Sequence, residues 1–401
     1  MGLIVLSIPI FFLLIGIELL ITKIKHLPYY RFNDAITNLS CGIGSQVIGI
    51  LIKALTVGGY ILIYNYSPWK GKIPTDWWMW ILLWLGVDFF YYWFHRMAHE
   101  ISLLWGSHVV HHQSEEYNLT VALRQAWLQG AFSWVFYLPL AFIGFEPQMF
   151  FTIAAINTLY QFWIHTRIIG KMHPAIEFVL NTPSHHRVHH GVNPKYIDKN
   201  HGGTFIIFDR FFGTFQAEEE EVVYGITSQP KSWNPLWLNF EYWIQLFKDV
   251  AAAQSLSHKV KMLVLQPGWK PAELGGIAPY KEVTPQQFQK YDTPVTPALS
   301  SYVFMQYVLL IAGTSYFLFS ETKPPFSQNI SIKLLVIAYI VLTVVNLGGI
   351  FEKKNWVKAL EIARLTALPI LVYWLAPNWI FLACTIVLAL LSFIWFWKIK
   401  G

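Results

Sequence analysis

An all-α, polytopic membrane helix bundle of about nine spans, with a histidine-rich metal cap on its cytoplasmic face, is the fold class this sequence predicts. Three observations predict it. Apolar residues make up 55% of the 401 positions and charged residues only 13%, with a positive mean hydropathy, which is unusual for a soluble chain. Many apolar runs are long enough to cross the hydrocarbon core of a bilayer. Histidines recur as HxxxH, HxxHH, a lone His and HxxHH, each beside such a run.

The first run, Leu3 to Ile21, has no basic region before it and is followed by Lys23, Lys25 and Arg31, so it reads as a retained anchor with its N-terminus outside. Ala35 to Tyr64 carries Lys53 and several glycines and reads as a broken or tilted span. Trp77 to Phe94, Ala126 to Ile143 and Gln148 to Ile164 follow, and Tyr302 to Phe319, Ile332 to Gly349, Ala359 to Leu375 and Trp379 to Phe396 complete the set. Nine spans place Lys23 to Arg31, Arg96, Arg124, the 165–300 segment, Lys353 with Lys354, and Lys398 with Lys400 inside, leaving the outer loops poorer in basic residues. Every histidine block then faces the cytoplasm, in the inner membrane of a bacterium or the endoplasmic reticulum of a eukaryote. The expected division is 1–80 for N-terminal transmembrane segments, 81–225 for the metal core, 226–300 for a cytoplasmic or interfacial linker and 301–401 for the C-terminal spans.

Between Gly191 and Ser300 the chain turns polar. Its acidic run Glu218 to Glu221 reads as a solvated face, and the aromatic, amphipathic Trp233 to Phe247 as a helix in the membrane interface or packed on the cap. Cys41 and Cys384 both lie in apolar spans, so imidazole and carboxylate must hold any metal. The net charge of +6 is spread over loops, which suits the anionic headgroups of a lipid bilayer and argues against a nucleic-acid partner.

On a helix, residues three and four apart share a face. His95 and His99 can therefore approach one metal together, and so can His108, His111 and His112, or His186, His189 and His190. His165, ending the span LYQFWIHT, faces the same side. One zinc or iron takes about four to six ligands, so nine imidazoles imply two metals. Stacked imidazoles at an apolar boundary would be costly without a partner that binds them. His185 reads as a ligand or as support for one, His173 as a turn residue before Pro174, and His26 and His258 as ordinary polar positions. Asp88, two helical turns before His95, is placed to accept the free N–H of a ligating imidazole, or else to pair with a nearby Arg or Tyr. Glu100 stands four residues after Arg96, at ion-pair spacing. Asp198, Asn200 and Asp209 flank the last block, where they can cap or orient it.

Imidazole suits iron as well as zinc, and a two-metal site with little thiolate can bind and reductively cleave O2. The resulting oxidant can attack an unactivated C–H bond, for which a membrane lipid is the natural substrate. Zinc hydrolysis needs three protein ligands and an open position, fewer than are present here. The competing class is a zinc-handling membrane protein or transporter. Transport favours ligands at mid-bilayer on broken helices, whereas these lie at helix ends on one side.

The arrangement resembles the fatty acid hydroxylase and sterol desaturase superfamily of membrane di-iron enzymes. More narrowly, GVDFFYYWFHRMAHE (Gly86 to Glu100), HHQSEEYNLTVALRQ (His111 to Gln125), LYQFWIHT (Leu159 to Thr166), NTPSHHRVHHG (Asn181 to Gly191) and IDKNHGGTFIIFDRFFGTF (Ile197 to Phe215) are similar to the alkylglycerol monooxygenase family. VVYGIT (Val222 to Thr227), the KYDTP segment and the C-terminal spans also fit it. The resemblance implies an oxidoreductase with two iron ions that uses O2 and tetrahydrobiopterin, or another electron donor such as a protein, to hydroxylate the ether-linked carbon of an alkylglycerol. A sterol or fatty-acyl hydroxylase or desaturase is the nearest variant. The family's ligand positions carry over to His95, His99, His108, His111, His112, His165, His186, His189 and His190, and its acidic position to Glu100. His201 departs from the pattern, which has an aromatic Tyr after the Asn.

Overall fold

The computed structural model describes residues 2–280 and 282–400, with Lys400 described by its backbone only. Met1, Lys281 and Gly401, which belong to the expected segments 1–80, 226–300 and 301–401, lie outside the described residues, as does the Lys400 side chain used in the charge pattern. Among the described residues every regular element is helical. Two isolated bridges, Leu180 with Phe205 and Gly191 with Tyr224, are the only extended pairings among those residues. The chain forms two compact units, Met1–Pro230 with Leu238–Lys290, and Lys231–Trp237 with Tyr291–Gly401.

The first unit opens with three long helices, α1 (Leu3–Ile24), α2 (Phe32–Asn65) and α3 (Trp77–Glu100). Short helices α4 (Ser102–Trp105) and α5 (Val109–His112) follow, then α6 (Gln129–Ser133), α7 (Leu138–Ile143), α8 (Pro147–Trp163), α9 (Pro174–Val179), α10 (Pro183–His189) and α11 (Ile207–Phe212). Helices α12 (Pro235–Ala252) and α13 (Leu256–Val264) lie in the expected linker. The second unit holds α14 (Pro297–Ser320), α15 (Ile330–Phe351), α16 (Val357–Leu375) and α17 (Trp379–Lys400). Among the described residues five helices are long and apolar enough to cross a membrane: Leu3–Ile24, Phe32–Asn65, Pro297–Ser320, Ile330–Phe351 and Trp379–Ile399.

Two expected segments differ in detail. The run with Lys53 is one unbroken helix of 34 residues, because it contains no proline and its glycines keep their backbone N–H donors for the hydrogen-bond ladder. Ala126 to Ile143 is instead assembled from α6, a 3-10 turn at Trp134–Tyr137 and α7. Pro139 removes one backbone donor there, and Gly144, at φ +102°, ends the run where a Cβ would lie 2.8 Å from the Trp69 carbonyl oxygen.

Helices α2, α3, α7 and α8 share a core around Tyr60, Leu83, Val87, Leu140 and Phe150. Tyr60 stacks on Phe150 at 4.2 Å between ring centroids and donates its hydroxyl to the Phe145 carbonyl at 3.0 Å. This packing fixes α3 beside α8, so the end of α3, with His95 and His99, comes level with His165 just past α8. Capping sharpens the helix starts in the second unit. Thr296 accepts the Leu299 amide at 3.3 Å and Asn329 accepts that of Ile332 at 3.2 Å.

Candidate metal centre

Four pieces of chain deliver the block histidines. The end of α3 supplies His95 and His99, the turn into α5 supplies His108, His111 and His112, the end of α8 supplies His165, and α10 supplies His186, His189 and His190. All nine are buried. Their nitrogens form two groups, His95, His99, His108, His112 and His189 in one, and His111, His165, His186 and His190 in the other, each within 4.8 Å. The sequence neighbours His111 and His112 enter different groups, as do His189 and His190.

Two arginines hold these pieces in place. Arg124 donates to the Val110 carbonyl at 2.7 Å, to Asn38 at 2.9 Å and to Gln113 at 3.1 Å, which ties α5 to α2. Arg187, inside the last block, donates to the Thr166 and Ile169 carbonyls at 3.0 and 2.7 Å and pairs with Glu218 at 2.7 Å. That pair corrects the reading of Glu218 to Glu221 as a wholly solvated face. Glu219 to Glu221 are exposed, but Glu218 is half-buried because the guanidinium of α10 needs a counter-charge.

The ring orientations are set mostly by main-chain carbonyls. His95 Nδ1 lies 2.7 Å from the His201 oxygen, His111 Nδ1 2.9 Å from that of Arg124, His165 Nδ1 2.7 Å from that of Gln161, and His189 Nδ1 2.9 Å from that of Lys199. His108 Nδ1 meets the Gln129 side-chain oxygen at 3.0 Å, and His99 Nδ1 faces the Asp198 carboxylate at 3.4 Å. A carbonyl can only accept, so each of these rings keeps its proton on Nδ1 and turns the Nε2 lone pair inward. Lone pairs then meet head on at His95 with His108, 2.9 Å apart, and at His111 with His165, 3.1 Å apart, while His112 and His186 bring Nε2 to 3.2 Å from His108 and 3.0 Å from His165. His99, His189 and His190 each present a buried Nε2 without a protein hydrogen bond. Facing lone pairs repel, and a cation between them reverses the sign of the interaction, so the residues present fit metal ions. Burial, with the His99 charge next, holds His108 down to about 3, and burial holds His165 down to about 4, so both are neutral and ready to ligate at physiological pH.

The acidic expectations need correction. Asp88 does not take the N–H of His95. Its two oxygens accept the backbone amides of Thr204 and Phe205, both at 2.8 Å, because those donors are buried beside it and have no helical partner. It acts on His95 through the chain, since the same loop carries the His201 carbonyl. A Cβ on Gly203 would lie 2.6 Å from Asp88 Oδ1, so only glycine lets the loop come this close. Glu100 turns away from the imidazoles to Arg96 at 2.8 Å, and its side chain is 45% exposed.

Asp209 grips the same loop, accepting the amides of His201 and Gly202 at 2.7 Å each, and burial raises its carboxyl to about 6. Asn200 donates to the His185 and Gln216 carbonyls at 3.0 and 2.8 Å. His185 lies outside both groups, edge-on to Phe215, and His173 caps α9 by accepting the Ala175 amide at 3.3 Å. His258 pairs with Glu273 at 2.7 Å and belongs to neither group. Sequence reasoning missed Gln129 and the four carbonyl acceptors, which have no side-chain signature. His201 is fully buried, its ring 5.1 Å from that of His99, without a well-formed hydrogen bond at either ring nitrogen.

Comparison with known proteins places these features. Residues 80–214 match the Fatty acid hydroxylase family, and residues 299–389 match the Alkylglycerol monooxygenase C-terminal domain. The chain is 40% identical to alkylglycerol monooxygenase of Xenopus tropicalis over 88% of its own length and 78% of that protein, and 37% identical to the Homo sapiens protein over 89% and 79%. It is also 26% identical to ornithine lipid hydroxylase OlsE of Rhizobium tropici, over 46% of this chain and 57% of that one. No solved structure matches the chain.

Proposed function

The chain belongs to the alkylglycerol monooxygenase family and is an integral-membrane oxidoreductase acting on lipids, and from that premise we propose that it hydroxylates the ether-linked carbon of an alkylglycerol at a di-iron centre. The hydroxylated carbon is a hemiacetal, which splits into a fatty aldehyde and glycerol or a glycerol derivative. The relatives are named for alkylglycerols, and that name supports the substrate assignment.

One observation carries the metal reading, the head-on lone pairs of His111 and His165. Nine buried imidazoles without a thiolate suit iron and exceed the three protein ligands that a catalytic zinc needs, which argues against the zinc-handling alternative. His95, His99, His108, His112 and His189 would hold one ion, and His111, His165, His186 and His190 the other. Bound there, the irons supply O2 activation, with electrons from tetrahydrobiopterin or another donor. The protein's own part is to fix six of the rings through their Nδ1 partners, to bury the site and to keep the imidazoles unprotonated. The asymmetric count, five nitrogens against four, leaves the second ion more open to O2 or substrate.

The basic-residue pattern supports the nine-span topology, with the N-terminus outside and the histidines facing the cytoplasm. Iron quantification and Mössbauer spectroscopy on anaerobically purified protein, followed by product analysis with an alkylglycerol, O2 and tetrahydrobiopterin, test the proposal. Two irons per chain and a fatty aldehyde product are expected. Zinc in place of iron, or a His111→Ala variant with full iron and activity, would overturn it.

A further inference from the structure

The second unit contains a cavity of about 360 Å³ bounded by α14, α15, α16 and α17. Its walls are apolar, with Phe317, Ile340 and Leu368 among them, but one end is polar, closed by Gln306, Arg364 and Ser392. From that end the lining reaches Phe317 on α14, Leu375 on α16 and Phe381 on α17, eleven positions along each helix. Eleven residues rise about 16 Å, roughly half of the ~30 Å hydrocarbon core, so the slot is as long as one leaflet's acyl chain. Gly313, Tyr316 and Phe381 line it and are exposed on the outside of the unit, so the slot opens sideways, toward lipid in a bilayer.

We propose that this slot binds a single-chain lipid with an uncharged, oxygen-bearing head, a long-chain alcohol or carbonyl compound, drawn laterally from the membrane. The closed end determines the head. Glu361 is fully engaged, by Arg364 at 2.6 and 2.9 Å, Asn346 at 2.5 Å and the Tyr302 hydroxyl. Arg364 passes a further bond to Gln306 at 2.7 Å, and Gln306 donates to Ser392 Oγ at 2.9 Å. The ion pair is therefore self-neutralised, and an anionic head would meet no spare cation. Ser392 accepts from Gln306, which leaves its own O–H as a donor to the slot. Two turns further along α14, Thr314 lines the slot with a buried hydroxyl, only 4% exposed as a residue, that has no hydrogen-bond partner. Pure hydrocarbon would leave the Ser392 hydroxyl without an acceptor, whereas an alcohol or carbonyl oxygen at the closed end can accept from it.

Photolabelling of the full-length protein in phospholipid nanodiscs tests the site. The probes are diazirine analogues of hexadecanol, palmitic acid and hexadecane, with labelled peptides mapped by mass spectrometry. The alcohol probe should label α14 and α16, and excess unlabelled hexadecanol should compete it away. Gly313→Leu, at a position where an added Cβ meets no atom within 4 Å, should cut that labelling at least fivefold by narrowing the mouth. Ser392→Ala removes the donor at the closed end and should weaken alcohol labelling about threefold while leaving the hydrocarbon probe unchanged. Equal labelling by hexadecane without competition, preference for the acid, or indifference to both variants would each overturn the proposal.

Discussion

Asp88 and Thr204 are 116 residues apart in sequence, yet the carboxylate of one accepts the amide proton of the other at 2.8 Å, and Phe205 repeats the contact on the second oxygen. The loop so held carries the carbonyl that orients His95. Asp88→Asn keeps one acceptor and turns an NH2 group against an amide N–H. Iron affinity should fall about 10-fold, at the lower end of what loss of an outer partner costs, together with a lower Tm. Turnover normalised to bound iron should stay within about twofold of wild type. Normal iron and stability with reduced normalised turnover would place Asp88 in the chemistry itself.

Asp198 faces His99 Nδ1 and is partly exposed. Asp198→Asn should leave the fold intact and weaken iron binding at the five-histidine group about 10-fold. Iron titration of the variant against wild type reads the effect, and equal affinities would remove Asp198 from the site.

His189 and His190 are adjacent in sequence but belong to different groups. His189→Ala and His190→Ala should each deplete a different iron, giving two distinct residual Mössbauer signatures. Identical signatures would mean that the two groups act as a single ligand pool.

For the metal-free protein, burial depresses His108 to about 3 and His165 to about 4. The unfolded chain therefore binds protons between about pH 6.5 and 4 that the folded chain does not, so stability is full above pH 6.5 and falls as pH drops through this window. Asp209, raised to about 6 by burial, and Glu116, also raised by burial, act in the opposite direction, against a larger set of depressed imidazoles. Tm of the apoprotein should decline from pH 7 to pH 4.5, and added iron should offset the loss above pH 6. A flat profile would show that the imidazoles are protonated in the fold.

Topology is best probed at Lys195 and Glu219, whose side chains are 40% and 60% exposed. In a Cys384→Ser background, Lys195→Cys and Glu219→Cys should react with an impermeant maleimide only after the membrane is opened. Reaction of both in sealed, right-side-out vesicles would reverse the proposed orientation.

Helical spacing made the nine histidines legible, because i, i+3 and i+4 positions share a face whatever the tertiary fold. It could not show which face meets which, so the interleaving of His111 with His112 across two groups was invisible. Asp88 was singled out for the right reason, the cost of a buried carboxylate, but its partners are main-chain amides more than a hundred residues away. The clamps made by Arg124, Arg187 and Glu218 escaped notice for the same reason. Charged residues near a helix end read as solvated until a tertiary contact buries them. The C-terminal runs showed their apolar character but not the polar end of the cavity, since Gln306, Glu361, Arg364 and Ser392 converge only in space.

The last nitrogens needed by both groups, His186, His189 and His190, lie on one short helix, α10, and its C-cap. On the proposed assignment, a growing chain that has emerged through α8 carries four ligands of the first ion and two of the second, with neither set closed. Tight iron capture then waits for α10 to dock, with the Asp198 to Phe205 loop behind it. Loading becomes a late folding event, and a chain stalled before Pro183 would be released as a membrane-inserted but metal-poor product.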